Sequence, residues 1–150
     1  MSVNVIPKTS INVGNLKQST LKTMKLDPIS YVSSSDWPGY TPNNAFDNKE
    51  NTYWHCASNF GLPQYCGAKF ERKVHINNFY LSLYYMSSTI ILQGSNDGKN
   101  WVNIQTYTCK DKIATYDVND YDDNYLYYCI NTIKLNDYYV AYKDITFFGY

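Results

Sequence analysis

The chain has 150 residues and a formal net charge of zero; charged residues make up 17% and aromatic residues 17%, with Tyr alone contributing 17 residues. That length sets one domain with room for a core. The balanced charge, with no long basic block, gives no electrostatic support for a nucleic-acid partner, and no apolar run is long enough for a transmembrane segment. Abundant Tyr and Asn with scarce Ala favour strands over helices, so the fold class expected is all-β.

Residues 1–26 form an N-terminal extension. Pro7, Gly14 and the polar stretch from Lys17 to Thr23 break any long periodicity, and Met1 to Gly14 has no signal-peptide apolar region. Two readings stand: a leader or added edge strand, or an arm that docks on a larger protein assembly or exchanges between subunits of a homo-oligomer. The domain proper is expected over 27–150, opening at Pro28–Tyr31. Residues 32–42 are loop by composition, and Trp37 and Tyr40 sit there among Pro and Gly. Either these rings face solvent, where an aromatic face can stack on the C–H face of a sugar, or Trp37 folds under the loop as a plug.

The stretch Asn44–Trp54 places the Asp47 carboxylate and the Thr52 hydroxyl five residues apart around Asn48, Glu50 and Asn51. A tight turn there gathers oxygens on one point, which suits Ca²⁺; the alternative is a metal-free turn in which Asp47 and Thr52 cap backbone amides. A second loop, 55–66, offers His55, Asn59 and Phe60 as donor, amide and apolar platform. Residues 65–70 read as a strand, and Phe79, Leu81 and Leu83 alternate with Tyr80, Ser82 and Tyr84 as a half-buried one. Ile90 to Leu92, the turn Ser95-Asn96-Asp97-Gly98, then Trp101 to Ile104 read as a hairpin. Trp101 and Ile104, the expected core anchors after the turn, are three apart, which predicts a bulge or second turn between them. The acidic stretch 110–124 reads as a solvated loop or, alternatively, a second calcium site, 125–130 as a strand with Leu126, Tyr128 and Ile130 on one face, and 138–150 as the closing strand.

Cys56, Cys66, Cys109 and Cys129 allow three disulfide pairings or four free thiols. A zinc site at His55–Cys56 lacks a paired Cys-x-x-Cys. No Ser/His/Asp, Cys/His or paired-carboxylate arrangement stands at catalytic spacing, so no enzyme is expected.

Three blocks carry a resemblance. Gly94-Ser95-Asn96-Asp97-Gly98 with Trp101, then Ala45-Phe46-Asp47-Asn48 with Thr52 and Trp54, and the terminal Asp144-Ile145-Thr146-Phe147-Phe148-Gly149 stand in order and register. Together they are similar to the discoidin domain, also called the coagulation factor five/eight type C domain, and to the related carbohydrate-binding module family thirty-two. The resemblance implies an antiparallel β-sandwich jelly roll, galactose-binding-domain-like, with ligand contacts in loops at one end and Trp54 against the sheet. It implies a structural Ca²⁺ with Asp47, Thr52 and Asp144 as side-chain ligands, although Asn48 replaces the usual Gly and Asp144 the usual Glu. It also implies non-catalytic binding of cell-surface or polysaccharide glycans through Trp37, Tyr40, His55, Asn59 and Phe60. Galactose specificity is not carried over, because the Arg and Asn of galactose-binding relatives are missing near Tyr85–Ser88. The alternative function is a structural or decoration subunit of a larger particle such as a phage virion, with host attachment. Virion or cell-surface association is expected over a purely cytoplasmic place. Anionic-lipid binding ranks below both, since Trp37 has no basic neighbour in its loop.

Overall fold

The structure, a computed structural model, describes residues 23–58 and 61–150. The extension up to residue 22 and the loop-tip residues Asn59 and Phe60 lie outside the described residues.

The strands are β1 (Met24–Lys25), β2 (Ser30–Ser33), β3 (Trp54–His55), β4 (Gln64–Val74), β5 (Ile76–Leu83), β6 (Ser87–Ser95), β7 (Val102–Thr108), β8 (Ile113–Asp117), β9 (Tyr125–Leu135) and β10 (Ala141–Gly149). The helical element among the described residues is a single 3-10 turn, Pro42–Ala45. The strands form two antiparallel sheets, ordered β1-β10-β5-β8 with β3 also on β10, and β2-β4-β9-β6-β7. This is the expected antiparallel β-sandwich. Met24 and Lys25, counted with the extension in the sequence, pair with Gly149 and Phe148 at the edge of the first sheet.

Period-two alternation builds the core. Phe79, Leu81 and Leu83 of β5 turn inward, as do Ile145 and Phe147 of β10 and Tyr128 and Ile130 of β9; all are almost fully buried. Trp54 packs its ring 4.9 Å from Tyr142. The buried Tyr142 hydroxyl finds its partners inside, at Thr132 Oγ1 (2.6 Å) and the Ile130 carbonyl (3.1 Å), so its burial leaves no orphan. The four cysteines are free thiols and all are buried. Cys66 and Cys129 sit on neighbouring strands but opposite different residues, Ile130 and Gly67. Burial pushes both thiols well up from their usual value, which keeps them unreactive.

The hairpin is β6–β7. Asp97 Oδ1 accepts from the backbone amides of Lys99 and Asn100, both at 2.8 Å, and Gly98 takes φ +73°. Those amides hold the Asp97 carboxyl well below the usual carboxylate range. The bulge is real: Leu92 pairs with Gln105 and Gln93 with Asn103, so Ile104 is the extra residue.

Three expectations are corrected. Trp101 is not a core anchor; it stands outside the core cluster, its ring 5.2 Å from Tyr65 and 6.3 Å from Tyr127, because it precedes β7 and closes over the outer sheet face. The acidic stretch is not all loop: Ile113–Asp117 pairs with β5 as an edge strand, and Tyr116 stacks on Phe79 at 5.1 Å. The closing strand begins at Ala141 rather than Tyr138, since Tyr138 and Tyr139 belong to the exposed β9–β10 connection.

Candidate functional site

The first loop owes its shape to four residues, Trp37-Pro38-Gly39-Tyr40. The Tyr40 amide donates to the Trp37 carbonyl at 2.9 Å and Gly39 takes φ +88°. A Pro followed by a left-handed Gly is the sequence that a type II turn requires. The turn docks on β3: the Trp37 amide donates to the His55 carbonyl at 2.8 Å, and the His55 amide to the Tyr40 carbonyl at 3.2 Å. Strand alternation then sends Trp54 inward and His55 outward, between the rings at the two ends of the turn.

Below the turn the loop is bolted to the core. Trp54 Nε1–H donates to the Ser35 carbonyl and to Asp36 Oδ1, both at 3.0 Å. The buried Gln64 accepts from the hydroxyls of Ser34 (2.6 Å) and Ser35 (2.7 Å) through one oxygen. Trp37 is therefore not a plug: it remains 43% exposed, on a loop whose base is fixed.

His55 is the hub of an aromatic cluster. Its ring centroid lies 5.2 Å from Tyr139, 5.8 Å from Tyr85, 6.2 Å from Trp37, 6.3 Å from Tyr40 and 6.4 Å from Tyr53. These rings, with Ser58, line an open hollow of about 240 Å³. That is small beside the roughly 300–1,000 Å³ of sites for drug-sized molecules, and suits one ring rather than an extended ligand. His55 Nδ1 lies 2.6 Å from the Cys56 carbonyl. A carbonyl only accepts, so Nδ1 carries the proton, and in the neutral ring Nε2 is left as an acceptor. Tyr53 stacks on Tyr84 at 4.3 Å, and burial, with the Tyr40 hydroxyl second, pushes its phenol up to about 12, so it stays a neutral donor. No carboxylate lines the hollow among the described residues. It offers flat apolar faces, phenolic hydroxyls and one imidazole, which can hold a polar ring.

Of the predicted ligand residues, Trp37, Tyr40 and His55 come together here. Sequence reasoning missed Tyr53, Ser58, Tyr85 and Tyr139, which arrive from separate segments. The tyrosine doublets Tyr84-Tyr85 and Tyr138-Tyr139, each beside a strand end, were the available signal.

Beside β10 of the first sheet, the bonded pair Asp47 and Thr52 stands near enough to Asp144 for the Asp47 charge to act on it. Thr52 Oγ1 lies 2.7 and 2.8 Å from the two Asp47 oxygens and 3.4 Å from the carbonyls of Asn44 and Lys49. Asn48 takes φ +60°, the left-handed conformation that its replacement of Gly demands. Burial pushes the Asp144 carboxyl above its usual value, with the Asp47 charge adding to the rise and Lys25 opposing it. Among the described residues no three His, Cys, Asp or Glu converge. A cation here would thus rest on two carboxylates supplemented by hydroxyl and carbonyl oxygens, a donor set that fits Ca²⁺.

The sequence model described as the F5/8 type C domain matches residues 28–129. Among solved structures, chitosan-binding module 2 of a chitosanase/glucanase from Paenibacillus sp. IK-5, in complex with chitotriose, superposes with a TM-score of 0.70 at 18% identity, covering 83% of this chain and 98% of that one. The family 32 carbohydrate-binding module of NanJ from C. perfringens, in complex with galactose, gives 0.69 at 13% identity, covering 79% and 92%. The family 32 module of AlyQ, in complex with 4,5-unsaturated mannuronic acid, gives 0.70 at 16%, covering 83% and 97%. No curated protein is significantly similar in sequence.

Proposed function

Since the chain belongs to the F5/8 type C domain family, we propose that it is a non-catalytic carbohydrate-binding module that holds one sugar ring of a glycan in the hollow around His55. The observation that carries this is the convergence of Trp37, Tyr40, Tyr53, Tyr85 and Tyr139 on His55 at the loop end of the sandwich. Exposed aromatic faces stack on the C–H faces of a sugar, while phenolic hydroxyls and His55 Nε2 meet its hydroxyl groups. The structural neighbours named above were solved with a chitosan fragment, galactose or an unsaturated uronic acid, which supports a glycan and leaves the sugar open. A hollow of about 240 Å³ buries little of a ligand, so one site binds weakly and useful avidity comes from several copies. The test is a glycan array probed with the protein displayed as a multivalent tetramer. Glycan signal is expected; a blank array at high valency would sink the proposal.

Asp47, Thr52 and Asp144, with the carbonyls of Asn44 and Lys49, would hold a structural Ca²⁺. When bound, the ion would tie the 44–52 turn to β10. The chain's own part is to hold Asp144 beside the turn, where burial disfavours its ionised form until a cation offsets the cost. Because its folded value is raised, ionising Asp144 lowers stability as pH rises through the carboxylate range. A cation would reverse that loss. Calcium at about a hundred times its dissociation constant adds about 2.7 kcal/mol. Melting scans with calcium and with chelator should therefore differ by about 5 °C or more at neutral pH, and the gap should close in acid. Superimposed curves at neutral pH would leave the metal-free turn as the correct reading.

A further inference from the structure

We propose that the aromatic hollow is the first subsite of a longer groove, and that its next subsite takes a sugar bearing an anionic substituent, a carboxylate or a sulfate ester. This rests on the glycan-binding reading and names the ligand class. A second hollow, about 450 Å³, adjoins the first and shares Tyr85 with it; Tyr84, Ile113, Lys112 and Lys143 line it, along with Asp137. A third, about 210 Å³, shares Ser82, Ile113 and Lys143 with the second. Shared lining residues thus link the three hollows from the loop end of the sandwich across the outer face of β10, β5 and β8.

The chemistry changes along that path. The first hollow has no carboxylate and no lysine or arginine among its described residues. The second has two lysines against one aspartate. Asp137 is already engaged by backbone amides, one oxygen accepting from the Tyr138 amide of its own connection at 3.0 Å and the other from the Met86 amide of the β5–β6 connection at 3.3 Å. Among the described residues neither Lys112 nor Lys143 has an ion-pair partner. Between them Ile113 is 60% exposed, on an edge strand whose alternation turns it outward. A lone exposed isoleucine means little. Flanked by two free ammonium groups and continuous with a ring-binding hollow, it makes a platform for a C–H face with cations placed for the substituent. The third hollow sets Lys49 and Lys143 against Glu50 and Asp144, so its charge is balanced and the anion belongs in the second.

Titration calorimetry on the full chain tests this with three tetrasaccharides: galacturonate, its neutral methyl ester and a sulfated galactan. At least one anionic tetramer should bind about tenfold tighter than the ester, with the advantage shrinking as salt is raised. Which one gains tells carboxylate from sulfate. The double variant Lys112→Gln, Lys143→Gln should bring that ligand down to the ester's affinity while the ester itself is unchanged. Equal binding of all three, or an advantage that survives the double variant, overturns the inference. Ester binding that depends on Trp37, with no gain for either anion, overturns it and leaves the glycan-binding reading intact. No binding by any tetramer overturns the inference, and the multivalent glycan array then decides the glycan-binding reading by itself.

Discussion

Trp54→Ala is expected to cost about 3–5 kcal/mol of folding stability, which for a domain of this size is a large share of the total. Trp54 is fully buried and is the largest side chain in the core. Its ring packs on Tyr142, whose own hydroxyl is tied into β9, so the cavity left behind is walled by side chains that cannot relax into it. The same residue holds the first loop, because its Nε1–H is shared between Ser35 and Asp36. A second variant separates the two roles. Trp54→Phe keeps most of the apolar volume and removes the donor, leaving the Ser35 carbonyl and Asp36 Oδ1 without it. It should cost about 1–3 kcal/mol from the lost hydrogen bonds and volume, and it should weaken glycan binding severalfold although Trp54 touches no ligand. Urea unfolding gives the first quantity and calorimetry the second. If Trp54→Phe binds as tightly as the wild type, the tryptophan serves the core and does not position the loop.

Much of this was written locally, and what was missed has a physical cause. The β6–β7 turn was legible because Asp97 and Gly98 satisfy backbone geometry by themselves. The Asp47 turn was legible for the same reason, with Asn48 supplying the left-handed residue. By contrast, the strand at Ile113–Asp117 lies in an acidic stretch, and only its pairing with β5 reveals that Tyr116 belongs beside Phe79. Trp101 looked like core because tryptophan usually is; here the outer face of the second sheet gives it Tyr65 and Tyr127 as neighbours. The aromatic hollow was half visible. Trp37, Tyr40 and His55 stand close enough in sequence to be guessed, whereas Tyr85 and Tyr139 meet His55 because β10 pairs with both β3 and β5. Tyrosine is so frequent in this chain that composition could not single out these two. Sheet order, a non-local property, decides which strand ends share a loop cluster.

That convergence carries the second large effect. Trp37→Ala should weaken glycan binding by about 2 kcal/mol, roughly thirtyfold, as expected for an aromatic anchor of a small site. Stability should hardly change, since Trp37 is 43% exposed and lies outside the buried core cluster. His55→Ala should cost at least as much binding, for a different reason. His55 is the ring that Trp37, Tyr40, Tyr53, Tyr85 and Tyr139 all approach, so its removal takes away both the Nε2 acceptor and the support that spaces the other rings. His55→Phe tells these apart: it restores the ring without the nitrogen. Affinity that recovers in His55→Phe assigns the imidazole a packing role. Affinity that stays low assigns Nε2 a hydrogen bond to a sugar hydroxyl. Calorimetry on the three variants with the best array ligand, beside a melting scan of each, separates these outcomes. Wild-type affinity in Trp37→Ala would move the site away from this end of the sandwich.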